Sequence, residues 1–366
     1  MPKKIVLAAN SSWYLFNFRA GTLKAFLARG CHVICLAPRD AFSERLVNEV
    51  GVDFVELDIS GPPGNLAKEL AALINTFRLV REIKPDYVFN FTIKANIYSG
   101  IACHFGGTRY ANNVSGLGTA FLHESLLYRW LRRAYVWANK RADHVFFQNP
   151  EDHKLFRNLG LNDDSKVTVI PGSGVDLQKF TYRELPGLPL KFVMIGRLLG
   201  DKGVREYVEA ARRIKTTCRD IKFVLVGPAG SDNATAIKSE EITKWLAEGH
   251  VDYRGEMLDV RTVLSEAHVF VLPSYREGMP RTVLEAAAIG RPAIVSDVPG
   301  CTHAIIPEQT GWLCKPRDVD SLEKAMRQVL SFDLSRLKEA GVAARQLAEE
   351  RFCESNVVSA YIDRID

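Results

Sequence analysis

Short apolar stretches alternate with amphipathic ones along nearly the whole chain, and this alternation limits the fold more than any other feature. Strands are expected at Lys4–Ala9, His32–Ala37, Asp53–Leu57, Tyr87–Asn90, Arg109–Asn112, His144–Phe147 and Val167–Ile170. A second run begins at Leu190–Ile195 and continues through Lys222–Val226, Val251–Tyr253, Val269–Leu272 and Ala293–Val295. Helical spacing lies between most of them, beginning with a helix near Phe18–Arg29. Strands that are apolar throughout and separated by helices belong to parallel sheets covered on both faces. Between the runs, Pro171–Pro189 is rich in Pro and Gly and has no period, which marks a hinge.

The chain of 366 residues is long enough for two such domains, each with its own core. We therefore expect an α/β protein with two doubly wound, Rossmann-like domains facing across a cleft, residues 1–180 and 181–350. A last stretch, 351–366, has Val358, Tyr361, Ile362 and Ile365 at the spacing of one helix face and is expected to cross back to the first domain. Hydrophobic residues make up 47%, but no apolar run is long enough to span a bilayer, and the apolar N-terminal stretch is too short for a signal peptide. Seven cysteines without a CxxC pair argue against a disulfide framework or a structural zinc site and for a cytosolic protein. The basic excess lies wholly in residues 1–180, with 22 Lys and Arg against 16 Asp and Glu; the remainder has 26 against 27. An anionic partner, a diphosphate or a membrane surface, would meet the first half.

Two segments of the second half have the residue types needed to hold an anion and a sugar. After Phe192–Ile195 comes Gly196-Arg-Leu-Leu-Gly-Asp-Lys-Gly203, in which Gly196 and Gly203 admit a close backbone approach and Arg197 and Lys202 supply two cations. A fixed Arg and Lys can neutralise a departing diphosphate without a metal. After Val269–Leu272, a loop holds Glu277, and a helix opening at Pro280 carries Glu285. The helix start favours an anion, and the two acids can take hydroxyls on either side of it. Asp318-Val-Asp320 has a D-x-D pattern, but it precedes a helical stretch, and Asp318 reads as its cap. No metal and no cofactor is expected. A dinucleotide is disfavoured, since no Gly-x-Gly-x-x-Gly is present.

In this order, the motifs resemble the retaining glycosyltransferases of family four, which have the GT-B fold. The resemblance is carried by Gly172–Phe180, Gly196-Arg197 with Lys202-Gly203, Val224–Gly227, Tyr253–Val260, the Glu277/Glu285 segment, Asp297–Gly300 and Thr310–Leu313. It implies that Arg197 and Lys202 bind the donor diphosphate, that Glu277 contacts donor sugar hydroxyls and that Glu285 holds the ribose diol. Backbone N–H groups of Gly278, Met279 and Arg281 would face phosphate or sugar, and the base would lie near Gly255–Met257.

Three loops of the first half, Asn10–Arg19, Asn90–Gly100 and Asn112–Gly118, resemble a branch that extends polyprenyl-diphosphate-linked oligosaccharides. That resemblance assigns Lys94 to the acceptor diphosphate and Asn17, Arg19, Asn96, Asn113 and Ser115 to sugars. Residues 119–137 mix large apolar side chains with Arg129, Arg132 and Arg133 at helical spacing, which fits either an interfacial helix at the inner face of the cytoplasmic membrane or a core helix. The reading is a metal-independent, retaining transferase that moves a hexose or N-acetylhexosamine, UDP-linked, to a lipid-linked saccharide. A nucleotide-sugar epimerase and a non-catalytic nucleotide-sugar sensor remain open alternatives. Nucleic-acid binding has no supporting motif.

Overall fold

The computed structural model describes residues 2–59, 65–116, 126–230, 233 and 235–366. They form two compact units, Met1–Ser173 with Glu354–Asp366, and Gly174–Cys353.

In the first unit the elements run β1 (Lys4–Ala8), α1 (Ser12–Ala28), β2 (His32–Ala37), α2 (Ser43–Arg45), β3 (Asp53–Glu56), α3 (Leu66–Ile83), β4 (Tyr87–Phe91), α4 (Ile93–Gly106), β5 (Arg109–Val114), α5 (Leu126–Arg141), β6 (His144–Phe147), α6 (Pro150–Asn158) and β7 (Val167–Val169). All strand pairings are parallel, in the order β3-β2-β1-β4-β5-β6-β7. Successive β1 residues serve opposite faces, as a pleat requires. Ile5 and Leu7 join a core with Phe26 of α1, while Val6 and Ala8 join another with Val80, Tyr135 and Phe156 of α3, α5 and α6.

The second unit contains β8 (Lys191–Ile195), α7 (Val204–Thr217), β9 (Lys222–Val226), α8 (Ser239–Glu248), β10 (Asp252–Tyr253), α9 (Arg261–Ser265), β11 (Val269–Leu272), α10 (Arg281–Ile289), β12 (Ala293–Ser296), β13 (Gly311–Cys314), α11 (Val319–Leu330) and α12 (Leu334–Arg351). Its parallel order is β10-β9-β8-β11-β12-β13 around one core. The linker is sewn to this unit by Arg291, which is wholly buried and donates to the carbonyls of Arg183 and Glu184 as well as Leu264 and Ser265. Burial lowers its pKa to about 10, and the carbonyl oxygens supply the acceptors a buried guanidinium requires.

The final helix, α13 (Glu354–Ile362), belongs to the first unit. Val357, Tyr361 and Ile362 of this helix enter the same core as Phe26 and Phe89, together with Ile365 just beyond it.

Three local readings are corrected. Asn10–Arg19 is not a loop: Ser11 caps α1 by accepting from the Tyr14 N–H at 3.2 Å, so Asn17 and Arg19 are helical. Apolar residues surround α1 rather than forming a stripe, which hid its first turns. Likewise α4 starts at Ile93 and takes Lys94 and Asn96 with it. Pro280 is the residue before α10 rather than its first. Strand β13, with buried Gly311, Trp312 and Cys314, adds an edge strand that the sequence pattern marks only as the Thr310–Leu313 motif. Phe121 and Leu122, expected on the same helix as α5, lie outside the described residues. No helix among the described residues is long and apolar enough to cross a membrane.

Candidate active site

In a doubly wound sheet, ligands bind outside the carboxyl ends of the strands where the order reverses. In the second unit that point lies between β8 and β11. The loop leaving β8 carries Arg197 and Lys202; the loop leaving β11 carries Glu277 and leads into α10 with Glu285. Topology alone thus gathers the four residues from segments about eighty positions apart.

Close backbone contacts hold these loops together. The Tyr275 N–H donates to the Asp201 carbonyl at 2.9 Å. Gly203 has φ +75, and a Cβ there would fall 2.2 Å from the Pro273 carbonyl oxygen. Gly300, after β12, has φ +83, and its Cβ would meet the carbonyls of Gly278 and Glu277 at 2.4 and 2.6 Å. Only glycine fits either position.

The charges are arranged as two ion pairs. The Lys202 ammonium donates to Glu277 Oε1, with 22% and 12% of the respective side chains exposed. Arg281 Nε donates to Glu285 Oε1 at 2.9 Å, one helical turn apart. Glu285 is buried, and burial pushes its carboxyl above the usual carboxylate range against the opposing pull of Arg281 and Lys179. Arg197 is exposed, and no carboxylate among the described residues pairs with it. Space above Gly196 is open, since a Cβ there would meet nothing within 4 Å. Gly255, at φ +71, accepts from the Gly227 N–H at 2.8 Å, and Met257 packs against the core. Gly278 is buried and Met279 partly so. The site therefore offers cations, a helix start and two acids, a set suited to an anionic ligand bearing hydroxyls. Asp318 stands outside it: its carboxylate accepts from Ser321 N–H at 2.8 Å and caps α11, while Asp320 pairs with Arg213.

The first unit has its own reversal between β1 and β4. There Arg19 is buried, with its guanidinium carbon 4.5 Å from the Phe91 ring centroid and 5.5 Å from that of Tyr361. The Tyr361 hydroxyl donates to Asn113 Oδ1 at 2.7 Å, and Asn96 Nδ2 donates to the Asn113 carbonyl at 2.7 Å. Arg19, Asn96 and Asn113 are thus brought together. Asn17 instead donates to the Trp13 carbonyl, Lys94 pairs with Glu69 of α3 at 2.9 Å, and Ser115 is partly exposed beyond β5.

Sequence reasoning missed several residues here. Asn90 donates to Asn112 at 2.9 Å across β4 and β5. Thr92 adopts φ +74, strained for a β-branched residue, at the start of α4. Tyr361 was noticed only as an apolar helix position. A signal was present in the three asparagines at the ends of two otherwise apolar strands. Buried atoms of this cluster lack partners among the described residues: Arg19 Nε and Nη1, Asn90 Oδ1, Thr92 Oγ1, Asn96 Oδ1, Asn112 Nδ2 and Asn113 Nδ2. Each such atom costs about 1–3 kcal/mol unless something satisfies it.

Known proteins resemble this chain over most of its length. Residues 4–149 match the family described as "Glycosyl transferase 4-like", and 180–346 match "Glycosyl transferases group 1". The chain is 28% identical to the N,N'-diacetylbacillosaminyl-diphospho-undecaprenol alpha-1,3-N-acetylgalactosaminyltransferase of Campylobacter jejuni, over 96% of this chain and 95% of that one. It is 31% identical to the UDP-Gal:alpha-D-GlcNAc-diphosphoundecaprenol alpha-1,3-galactosyltransferase of Escherichia coli, over 72% and 71%. Among solved structures, Anabaena Alr3699/HepE in complex with UDP and glucose superposes with a TM-score of 0.82 at 17% identity, covering 99% of both chains. Sucrose-phosphate synthase of Thermosynechococcus elongatus gives 0.80 at 18%, covering 99% and 98%.

Proposed function

The chain belongs to the family-four glycosyltransferases of GT-B fold, and from that premise we propose that it moves an N-acetylhexosamine or hexose from a UDP sugar to a polyprenyl-diphosphate-linked saccharide, retaining the anomeric configuration. The observation that carries this reading is the end-to-end likeness to a C. jejuni enzyme whose name gives a diphospho-undecaprenol acceptor and an alpha-1,3 product.

The donor lies at the β8/β11 reversal. Arg197 and Lys202 meet its diphosphate, aided by the start of α10. Glu277 takes hydroxyls of the sugar, and Glu285 takes the ribose diol. The acceptor hydroxyl attacks C1 on the face that the diphosphate leaves; the C1–O bond to phosphate breaks, and the departing β-phosphate oxygen takes the hydroxyl proton. The protein orients the partners and stabilises the negative charge growing on the diphosphate. No metal is needed for that stabilisation when two cations already face the leaving group. The unpartnered polar atoms around Arg19, Asn96 and Asn113 support a polar acceptor held at the carboxyl ends of β1, β4 and β5.

The test is to incubate the purified chain with a panel of UDP sugars, with and without a polyprenyl-diphosphate disaccharide. Acceptor-dependent UDP release with one donor supports the proposal. Isomerisation of the nucleotide sugar without acceptor makes the chain an epimerase, and nucleotide binding without turnover makes it a sensor.

A further inference from the structure

Besides the ion pair of Lys202 and Glu277, a second pair of side chains joins the same two loops. Glu206 follows Lys202 by four positions, in the first turn of α7, and Tyr275 precedes Glu277 by two. The Tyr275 hydroxyl donates to Glu206 Oε1 at 2.5 Å, while its backbone N–H donates to the Asp201 carbonyl at 2.9 Å. Tyr275 therefore holds the residue before Lys202 with its main chain and the helix after Lys202 with its side chain.

The environment keeps this contact in place. Burial, and after it the Glu206 carboxylate, push the Tyr275 hydroxyl up to about 12, so at neutral pH it stays protonated and donates. Glu206 Oε2 is buried and has no partner among the described residues. Without the tyrosine hydroxyl, the carboxylate loses the hydrogen bond it accepts at its other oxygen, which is costly for a partly buried charge. Arg317, between β13 and α11, covers the ring, with its guanidinium carbon 4.6 Å from the Tyr275 centroid. Its backbone has φ +58, a left-handed conformation uncommon outside glycine. The loops leaving β8, β11 and β13 thus meet on one tyrosine.

We propose that Tyr275 is a positioning residue for Lys202: held by Glu206 and covered by Arg317, it fixes the backbone from which the Lys202 ammonium reaches a bound diphosphate. The proposal rests on the reading above that Lys202 meets the donor diphosphate. A lysine has four flexible bonds beyond Cα, so the backbone must be set before its charge can be placed, and small displacements of such a group are costly to binding and rate.

The experiment is a double-mutant cycle on the full chain, with UDP affinity from calorimetric titration and turnover from the transfer assay. UDP has no sugar for Glu277 to contact, so the titration reads the diphosphate end alone. Tyr275→Phe keeps the ring under Arg317 and should weaken UDP binding about tenfold. In the Lys202→Ala background the same change should cost less than about twofold, because the group it positions is gone. Glu206→Ala should match Tyr275→Phe, and Glu206→Gln, which still offers an oxygen to the hydroxyl, should restore most of the affinity. Tyr207→Phe is the control for stability: it removes hydroxyl bonds to the Phe192 and Val224 carbonyls beneath the same helix, and should lower the urea midpoint without changing UDP affinity. Turnover should follow the same cycle. Absence of transfer in the parent counts against the proposed reaction, and the UDP cycle then decides on Tyr275 by itself. Equal losses from Tyr275→Phe with and without Lys202, parental affinity in Tyr275→Phe, or no UDP binding by the parent overturns the proposal.

Discussion

Lys202 and Glu277 form an ion pair that joins the loop leaving β8 to the loop leaving β11. The two strands are neighbours at the reversal of strand order, so the pair spans the place where a parallel sheet receives its ligand. Each group neutralises the other. In the proposed complex Lys202 turns to the diphosphate and Glu277 to sugar hydroxyls, so binding exchanges one set of charge-assisted contacts for another.

Removing either member should separate function from folding. Lys202→Ala or Glu277→Ala is expected to lower turnover by about a hundredfold or more. Because both side chains keep some access to water, the stability loss should be only about 1–2 kcal/mol. Steady-state assays with urea denaturation of the same preparations check both numbers.

Glu285 gives a pH-dependent prediction. Burial raises its pKa in the folded state, so the native protein holds this proton more tightly than the unfolded chain does. Its contribution to stability is therefore greatest at and below the ordinary carboxylate range and is lost as pH rises through the raised value. Glu285→Gln cannot ionise, so at neutral pH it should melt no lower than the parent. The parent should gain relative to the variant as the pH is lowered. The same change should weaken UDP binding about ten- to a hundredfold, because the ribose diol loses a charged acceptor. Melting curves across pH and calorimetric titration with UDP measure the two effects.

The glycines at the loop contacts should differ in a way the geometry sets. Gly203→Ala places a methyl group against a backbone oxygen and is expected to cost several kcal/mol and most of the activity. Gly255→Ala has the same positive φ with open space around it, and should cost only about 1–2 kcal/mol. Equal losses at the two positions would show that the loop contact plays no part.

Tyr361 joins the last helix to the polar cluster of the first unit. Tyr361→Phe keeps the ring among Phe89, Phe91 and Phe146 but removes the hydrogen bond to Asn113, for an expected loss of about 1 kcal/mol. Tyr361→Ala should lose about 3–5 kcal/mol from the cavity it leaves. Chemical denaturation of the two variants distinguishes the hydrogen bond from the packing.

Much of this fold is legible before any coordinates, because buried parallel strands are written as apolar runs such as Val269–Leu272 and leave little room for another reading. The proposed donor site is legible for a related reason. Its residues cluster locally, Gly196 to Gly203 and Glu277 to Glu285, in segments whose order along the chain is itself informative. The polar cluster of the first unit was harder. Arg19, the pair Asn90 and Asn96, Asn113 and Tyr361 come from four separate segments and meet only through sheet pairing and the return of α13. Nor does a periodicity rule find α1, where Trp13, Leu15, Phe16 and Phe18 surround the axis. The partner already held by Lys202 was equally invisible, since an ion pair between loops leaves no pattern in either segment.

The proposed reaction is transfer from a UDP sugar to a lipid-linked acceptor through the β8/β11 site. Its most direct test is to follow UDP release and the anomeric NMR signal of the product, in the parent and in Glu277→Ala, with and without the polyprenyl-diphosphate saccharide. Acceptor-dependent release, an α-linked product and a loss of about a hundredfold or more in the variant are expected. A β-linked product, donor consumption indifferent to the acceptor, or full activity in Glu277→Ala would contradict it.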